Sequence, residues 1–505
     1  MNQDNGGVIG KINTPTTSVA SGVWSIQDQF EAQSSSTWPL AFPQTTIANS
    51  CRFDSASNDY LNRALSSGTG TTFTVSAWVK RSDTSKAVVL LSSGANSSND
   101  LDEIVIQTDG TFRAFSYTSS YTFHLTTDRV FRDPAAWYNF MFVYDSTNST
   151  SGDRARMYVN GSEITSFSAE VQPSQNTVSN YFNKNREHYI SGNLGSTDTG
   201  THYIAEYCFI DGQALTPSSF GAFNPVTNIW EPIPYAGTYG TNGFRLDFGD
   251  SSALGADVSG NSNNFTVNNL TSADQSTDTC SNNFATMNPL AIPAANTPTF
   301  AEGNTKISTN SSNANPVIST IGVSQGKWYA EAKRISYDGG SGDDDGFRIG
   351  FGATYVENVN LVPPAIADSG HYFMIGTGTV YNGSTDLGDK AGDSNISDNG
   401  VVGIALDLDN NRISWAFNGA WMTGSNAWSG SSPSSYVTIE SGKTYFFLQT
   451  DGSSGRAYTA GWNFGGASAF TIASGNSDAN GHGNFEYPVP SGYYALNTKN
   501  LAEFG

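Results

Sequence analysis

The chain has 505 residues, 37% of them hydrophobic before its 52 glycines are counted, so a sizeable core is available and wholesale disorder is disfavoured. Only 14% of the residues are charged, and 24 Lys+Arg against 45 Asp+Glu leave a net charge of −21. A broad phosphate-binding face is disfavoured against that field, so nucleic acid is not an expected partner.

The first 45 residues are rich in Ser, Thr and Gln and hold one compact apolar cluster, Val19, Val23, Trp24 and Ile26. Met1 to Gly7 lacks the basic and apolar regions of a Sec signal, and no run approaches the ~18 apolar residues of a membrane span. A soluble product without membrane insertion is expected. Strand-like segments follow. Phe73 to Lys80 alternates with period two, and Arg156 to Val159 alternates directly before Asn160-Gly161, a hairpin dipeptide. Asp109-Gly110, Asp211-Gly212, Asn242-Gly243, Asn418-Gly419 and Asp451-Gly452 punctuate other apolar runs. With no long apolar period of 3.6, the pattern predicts an all-β chain of antiparallel sandwiches.

A polar stretch from Ser272 to Asn282 and a Pro/Ala/Asn/Thr-rich run from Asn288 to Pro298 predict a connection between domains. Four parts are expected: an N-terminal segment 1–45, a first sandwich 46–225, a connector 226–312 and a second sandwich 313–505. The connector contains strand, because Phe244-Arg245-Leu246-Asp247-Phe248 itself reads as one. The three cysteines, Cys51, Cys208 and Cys280, have no CxxC spacing; buried thiols are expected, one disulfide remaining open. The five histidines lack metal-ligand spacing.

Phe53-Asp54, Asn58-Asp59-Tyr60-Leu61, Phe73 to Lys80, Trp137 to Asp145, Met157 to Gly161 and Tyr203 to Gly212 form an ordered set. In that order they resemble a laminin-G-like, concanavalin A-like jelly roll. Gly326 to Lys333, Arg348 to Gly352, Val402 to Asp409, Arg412 to Gly419, Trp462 to Gly465 and Pro490 to Leu496 resemble a SPRY domain, also a concanavalin-like sandwich. The combination is similar to virion structural proteins of tailed phages, particularly marine ones. That resemblance implies a tail-fibre or related surface component that binds a host-surface glycan or protein. It also implies contacts with other virion proteins, self-association, and attachment through residues 1–45 with Val19, Val23, Trp24 and Ile26. A head-decoration or tail-scaffold protein is the structural alternative, and a bacterial lectin or adhesin lies outside virions.

Glucanases of this fold carry their acids on one strand as E-x-D-x-x-E, and no such run exists here. Glu206 and Asp211 lie near a strand, but Asp211 begins a turn; no catalytic residue is expected. Gly322-Val323-Ser324-Gln325-Gly326 has the spacing of a nucleophile elbow, yet a strand rather than a helix should follow. Asp407, Asp409 and Asn411 imitate a calcium loop whose sixth and twelfth places are wrong, so a hairpin tip is expected. Asp343, Asp344 and Asp345, between glycines, have the chemistry to hold Ca²⁺, but a solvated loop is the simpler reading and no cofactor is expected. Trp78, Trp137, Trp328 and Trp415 fall inside strands and are expected to be core. SPRY domains bind through loops at one end of the sandwich. The resemblance therefore makes Asp343, Asp344, Asp345, His371, Tyr372, Trp421 and Trp428 the candidate ligand-binding residues.

Overall fold

Alternation along the strand Thr72–Arg81 sends Phe73, Val75, Ala77 and Val79 into a core and turns Trp78 and Lys80 the other way. This strand lies between Trp137–Asp145 and His202–Asp211, antiparallel to both. Across the core, a second sheet runs in the order Phe167–Val171, Tyr121–Val130, Thr111–Tyr117, Asp100–Ile106, Val88–Asn96, Glu187–Ile190, Tyr60–Ala64 and Thr266–Asn268. Leu90, Ile104, Phe112 and Phe123 fill the space between the sheets. The computed structural model describes residues 46–505 except 97–98, 195–199, 226, 293–297, 310–315, 339–345, 354–369, 391–395, 424–426 and 452–456.

A second sandwich follows the same logic. Lys327–Tyr337, Val401–Asp407 and Arg412–Phe417 lie side by side in one sheet, and Tyr445–Thr450, Arg348–Gly352 and His371–Ile375 in the other. Trp328, Trp415 and Trp462 are fully buried between them with Phe351 and Phe447. The chain is all-β in antiparallel sandwiches, as expected. Among the described residues the α-helix is confined to Thr498–Phe504. Asn160 and Gly161 take φ of 49° and 76°, and Asn418 and Gly419 take 48° and 80°. Left-handed backbone at both central positions is what a two-residue hairpin needs to match strand twist.

Residues 226–312 contain strand, and among the described residues all of it except Trp230–Pro232, which pairs only with Gly221–Phe223, joins the sheets of the sandwiches. Phe244–Leu246 pairs with His202–Asp211, Thr266–Asn268 with Tyr60–Ala64, and Gln275–Ser276 with Ser50–Phe53. Further on, Thr299–Ala301 and Lys306–Ser308 extend the second sandwich through the strand Tyr458–Asn463. The crossing between sandwiches thus falls near 276–287.

That crossing is built around a buried ion pair. Lys80 and Asp278 are both inaccessible to solvent, with Nζ 2.8 Å from Oδ2. The ammonium also donates to Asn283 Oδ1 at 2.8 Å and to the Phe284 carbonyl at 3.2 Å. Asp278 Oδ1 accepts from Trp137 Nε1 at 3.1 Å and from the Phe284 amide at 3.2 Å. Phe284 then packs against Tyr329 and Phe485 of the second sandwich. Both charges are fully hydrogen-bonded, the condition under which a buried pair is tolerated.

A second buried carboxylate holds the C-terminal segment over the outer face of the second sandwich. Glu331 accepts from the amides of Glu486 and Tyr487 at 2.9 and 2.8 Å and from Tyr329 Oη and Asn463 Nδ2, each at 3.1 Å. Phe485 and Tyr493 are thereby laid on Tyr329, Ala405, Ala416 and Trp421.

Removing one partner of a buried pair typically costs about 3–5 kcal/mol, whereas replacing both by apolar groups is often neutral. Lys80→Met and Asp278→Leu should each lower the unfolding free energy by about that much in urea, and the double variant should regain most of the loss.

Candidate functional site

Of the seven ligand-binding candidates, Asp343, Asp344 and Asp345 lie outside the described residues, as do Val19, Val23, Trp24 and Ile26. The others are not loop residues. His371 and Tyr372 are 3% exposed and stand in the strand His371–Ile375, opposite Gly352 and Phe351. Tyr372 belongs to the core, its Oη accepting from the Glu440 amide at 3.1 Å. Trp421, 4% exposed, lies in the strand Ala420–Thr423 beneath the C-terminal segment, its ring 6.3 Å from Tyr329. Trp428 is half-buried in Ala427–Gly430, with its ring 5.9 Å from that of Phe417. The expected exposure of Trp421 is corrected by a cover that arrives much later in the chain. A polar flank cannot reveal such a cover.

A different surface gathers recognition chemistry. The strands Asp100–Ile106, Thr111–Tyr117 and Tyr121–Val130 turn Ile104, Ile106, Phe112, Ala114, Phe123 and Leu125 into the first core. Their alternate residues line the outer face. Pairing puts Glu103, Phe115 and His124 in one row, with Leu101, Tyr117 and Tyr121 in the next. Tyr121 stacks on His124, centroids 4.3 Å apart, and Tyr117 meets Tyr121 edge-on at 4.9 Å. The Arg113 guanidinium lies 4.1 Å over the Phe115 ring. Arg113 Nε donates to His124 Nε2 at 3.1 Å and its Nη2 to Tyr121 Oη at 3.0 Å.

Electrostatics fix the protonation states of this face. Burial and the Arg113 charge push His124 down to about 4, so it is neutral at pH 7. Its Nε2 accepts from Arg113, which places the proton on Nδ1. Burial lifts Glu103 to about 7, opposed by Arg113 and by the Asn193 amide, which donates to Oε1 at 3.2 Å. Tyr121 is 38% exposed, an aromatic plane open to solvent beside the Arg113 guanidinium. Such a face can stack an apolar ring surface while hydrogen-bonding polar substituents. Arg113, Phe115 and Tyr117 alternate with core residues of their strand, as His124 does in its own. Tyr121 instead has the parity of core Phe123 and reaches the outer face through the register shift between Ser116 and Tyr117. The signal in the alternating residues was missed because the histidines were weighed only as metal ligands.

The other motifs resolve structurally. Glu206 is held by Arg245 at 2.9 and 2.6 Å, while Asp211 accepts from Asn183 Nδ2 and the Asn242 amide. Gly322 to Gly326 joins the strands Val317–Val323 and Lys327–Tyr337, not a strand and a helix. Asp407 bonds Asn410 and Arg412 at the tip of its hairpin. Cys51, Cys208 and Cys280 are free thiols, the first two buried and the third half-buried. Trp78 and Trp137 are buried on the outer face of their sheet, with Tyr203 and Trp230, rather than between the sheets.

Trp421→Ala should cost about 3–5 kcal/mol of stability in urea denaturation, the usual penalty for emptying a large aromatic site. Glu103 gives a pH test with a definite sign. Its folded value lies above the ordinary 4.5, so the folded state holds the proton through a range where the unfolded chain has lost it. Its contribution is therefore full below 4.5 and is lost as pH rises toward about 7. Urea midpoints of the native chain should fall relative to Glu103→Gln across that window.

Residues 54–197 match the family described as the concanavalin A-like lectin/glucanases superfamily. No curated protein matches the chain. Among solved structures, the SPRY domain of human HERC1 is 13% identical, covering 31% of this chain and 87% of its own at a TM-score of 0.24. A native heptameric SAP-like pentraxin from Limulus polyphemus is 15% identical, covering 34% and 80%, also at a TM-score of 0.24. Trypanosoma rangeli sialidase in complex with the inhibitor DANA is 15% identical, covering 30% and 22% at 0.21. These structural likenesses are too slight to carry function. The family match stands by itself: within residues 54–197 the chain has a concanavalin A-like lectin/glucanase-type domain.

Proposed function

We propose that the chain is a non-enzymatic surface protein of a tailed-phage particle, a tail fibre or related appendage, that binds a host-surface glycan through the outer face around Tyr121. The observation carrying this reading is the Tyr121–His124 stack with Arg113 bridging both residues, on a lectin/glucanase-type domain. An open aromatic plane accepts the C–H face of a sugar ring, and Arg113, Glu103 and Asn193 supply donors and acceptors for hydroxyls. The reading as a binder is supported by Glu206 and Asp211, whose carboxylates are tied to Arg245 and to backbone and amide groups. Virion placement rests on the sequence resemblance. Residues 1–45, with Val19, Val23, Trp24 and Ile26, are assigned to attachment, and the sandwiches to projection.

A second reading, contact with other virion subunits, is favoured by one feature. The strand Gly221–Phe223 ends on Phe223, 45% exposed, and Ile229, 60% exposed, immediately precedes its partner Trp230–Pro232. Scattered apolar exposure is ordinary, but a paired apolar tip suits a protein contact.

The labelled full chain, applied to an array of bacterial surface polysaccharides and their oligosaccharides, should be retained by a restricted set of glycans without shortening them. Tyr121→Ala and Arg113→Ala should each weaken retention about tenfold or more, as truncation of an interface anchor does. Glycan shortening, or retention indifferent to both substitutions, contradicts the proposal. Retention by virion proteins alone supports the second reading.

A further inference from the structure

Lys80 is the one buried lysine among the described residues, and three chemistries meet at its end. Its Nζ lies 2.8 Å from Asp278 Oδ2 and 2.8 Å from Asn283 Oδ1, with the Phe284 carbonyl at 3.2 Å. A C=O bond of about 1.23 Å then puts the Asn283 amide carbon no more than about 4 Å from Nζ. Reacting atoms in near-attack geometry stand about 3–3.5 Å apart, so little closure is needed. The side chains of Lys80 and Asp278 are 0% and 1% exposed, with Trp137 bonded to the carboxylate and the Tyr203 ring beside the ammonium.

Asn283 is held in place on both sides. Its Nδ2 donates to the Ala135 carbonyl at 2.7 Å, which turns Oδ1 toward Lys80. Its backbone amide donates to Thr498 Oγ1 at 3.0 Å, and its carbonyl accepts from the Thr498 amide at 3.0 Å. An amine, a carboxylate and a carboxamide in contact, shielded from water, are the reactants of an amide transfer. Of the three acceptors on Nζ, the Asn283 amide is the one whose attack releases a small group and leaves the backbone whole. Attack on the Phe284 carbonyl cuts the chain. Asp278 is a poor electrophile as a carboxylate and stands where a proton acceptor is needed.

We propose that Lys80 and Asn283 join in the folded chain through an isopeptide bond, with Asp278 carrying the proton. Asp278 Oδ2 takes one proton from the ammonium, and the freed Nζ lone pair attacks Asn283 Cγ. The Nζ–Cγ bond forms and the Cγ–Nδ2 bond breaks. Nδ2 leaves as ammonia with a second proton from Nζ, takes the proton held by Asp278 and departs as ammonium. Asp278 returns to carboxylate, nothing is oxidised or reduced, and no co-reactant is consumed. Asn283 and Ala135 are half-buried, which sets the leaving nitrogen at the partly exposed side of the site. The ion pair described above is the reactant state. The bond closes a covalent loop between residues 80 and 283, so tension on the chain ends bypasses residues 81–282. Glycan binding at the outer face does not depend on it.

Intact mass and peptide mapping of the full chain, after storage in the folded state, test the bond. The mass should lie about 17 Da below the sequence value, the loss of one ammonia, and a tryptic digest should contain a branched peptide joining Lys80 to Asn283. Asn283→Ala, which keeps the Lys80–Asp278 pair, should show neither. The natively folded fraction of Asp278→Asn should stay unlinked. The full sequence mass with no branched peptide overturns the proposal. So does a loss of about 17 Da confined to one unbranched peptide, the mark of an asparagine succinimide. A loss of about 18 Da with Lys80 joined to Asp278 overturns the choice of Asn283, and linkage in Asp278→Asn overturns the proton-carrying role.

Discussion

A single buried ammonium organises the molecule. Lys80 projects from the central strand of the first sandwich on the side away from its core. A lone charge there would be very costly, because the desolvation of an ion is repaid only by close counter-charge and complete hydrogen bonding. Asp278, Asn283 and the Phe284 carbonyl supply both. All three come from the segment where the chain leaves the first sandwich for the second. Once this segment is pinned, Phe284 is set against Tyr329 and Phe485, and Met287 bridges to Ser319. Nearby bonds follow the same seam: Ser276 Oγ to the Gly466 carbonyl, Tyr203 Oη to Gly303, and Asn304 Nδ2 to Ser82.

Local rules made much of the fold readable. Alternation in Phe73 to Lys80 and the Asn-Gly pairs at 160–161 and 418–419 required no long-range knowledge, and the structure realises them as core strand and hairpins. Expectations about exposure fared worse. Trp421 sits in a polar neighbourhood of the sequence, yet Phe485 and Tyr493 bury it, brought there by the amides that bond Glu331. His371 and Tyr372 failed as loop candidates because they are paired strand residues. Lys80 gave no local sign of its role, since its partners lie about 200 positions away. The cover of Trp421 and the partners of Lys80 are long-range contacts, the information least available to period and turn chemistry.

Recognition and stability use the same residue types here in different surroundings. Arg245 and Glu206 form an ion pair, whereas Arg113 bridges His124 and Tyr121 beside an exposed aromatic plane. Burial holds His124 neutral and lifts Glu103, so the outer face carries less charge at neutral pH than its composition suggests. That face offers balanced donors and acceptors rather than a strong field, the character that suits uncharged polyols. In a chain of net charge −21, that local balance belongs to this surface and not to the whole.

The buried pair joins the two sandwiches into one cooperative body. Native-state hydrogen exchange of the Phe284 and Thr320 amides tests it directly, because both bond within the seam, to Asp278 and to the Thr286 carbonyl. The account predicts that these amides exchange only through global unfolding, with the same free energy and denaturant dependence as core amides of both sandwiches. Exchange through a lower-energy opening, while both cores stay protected, would show that the sandwiches are joined loosely and contradict the account.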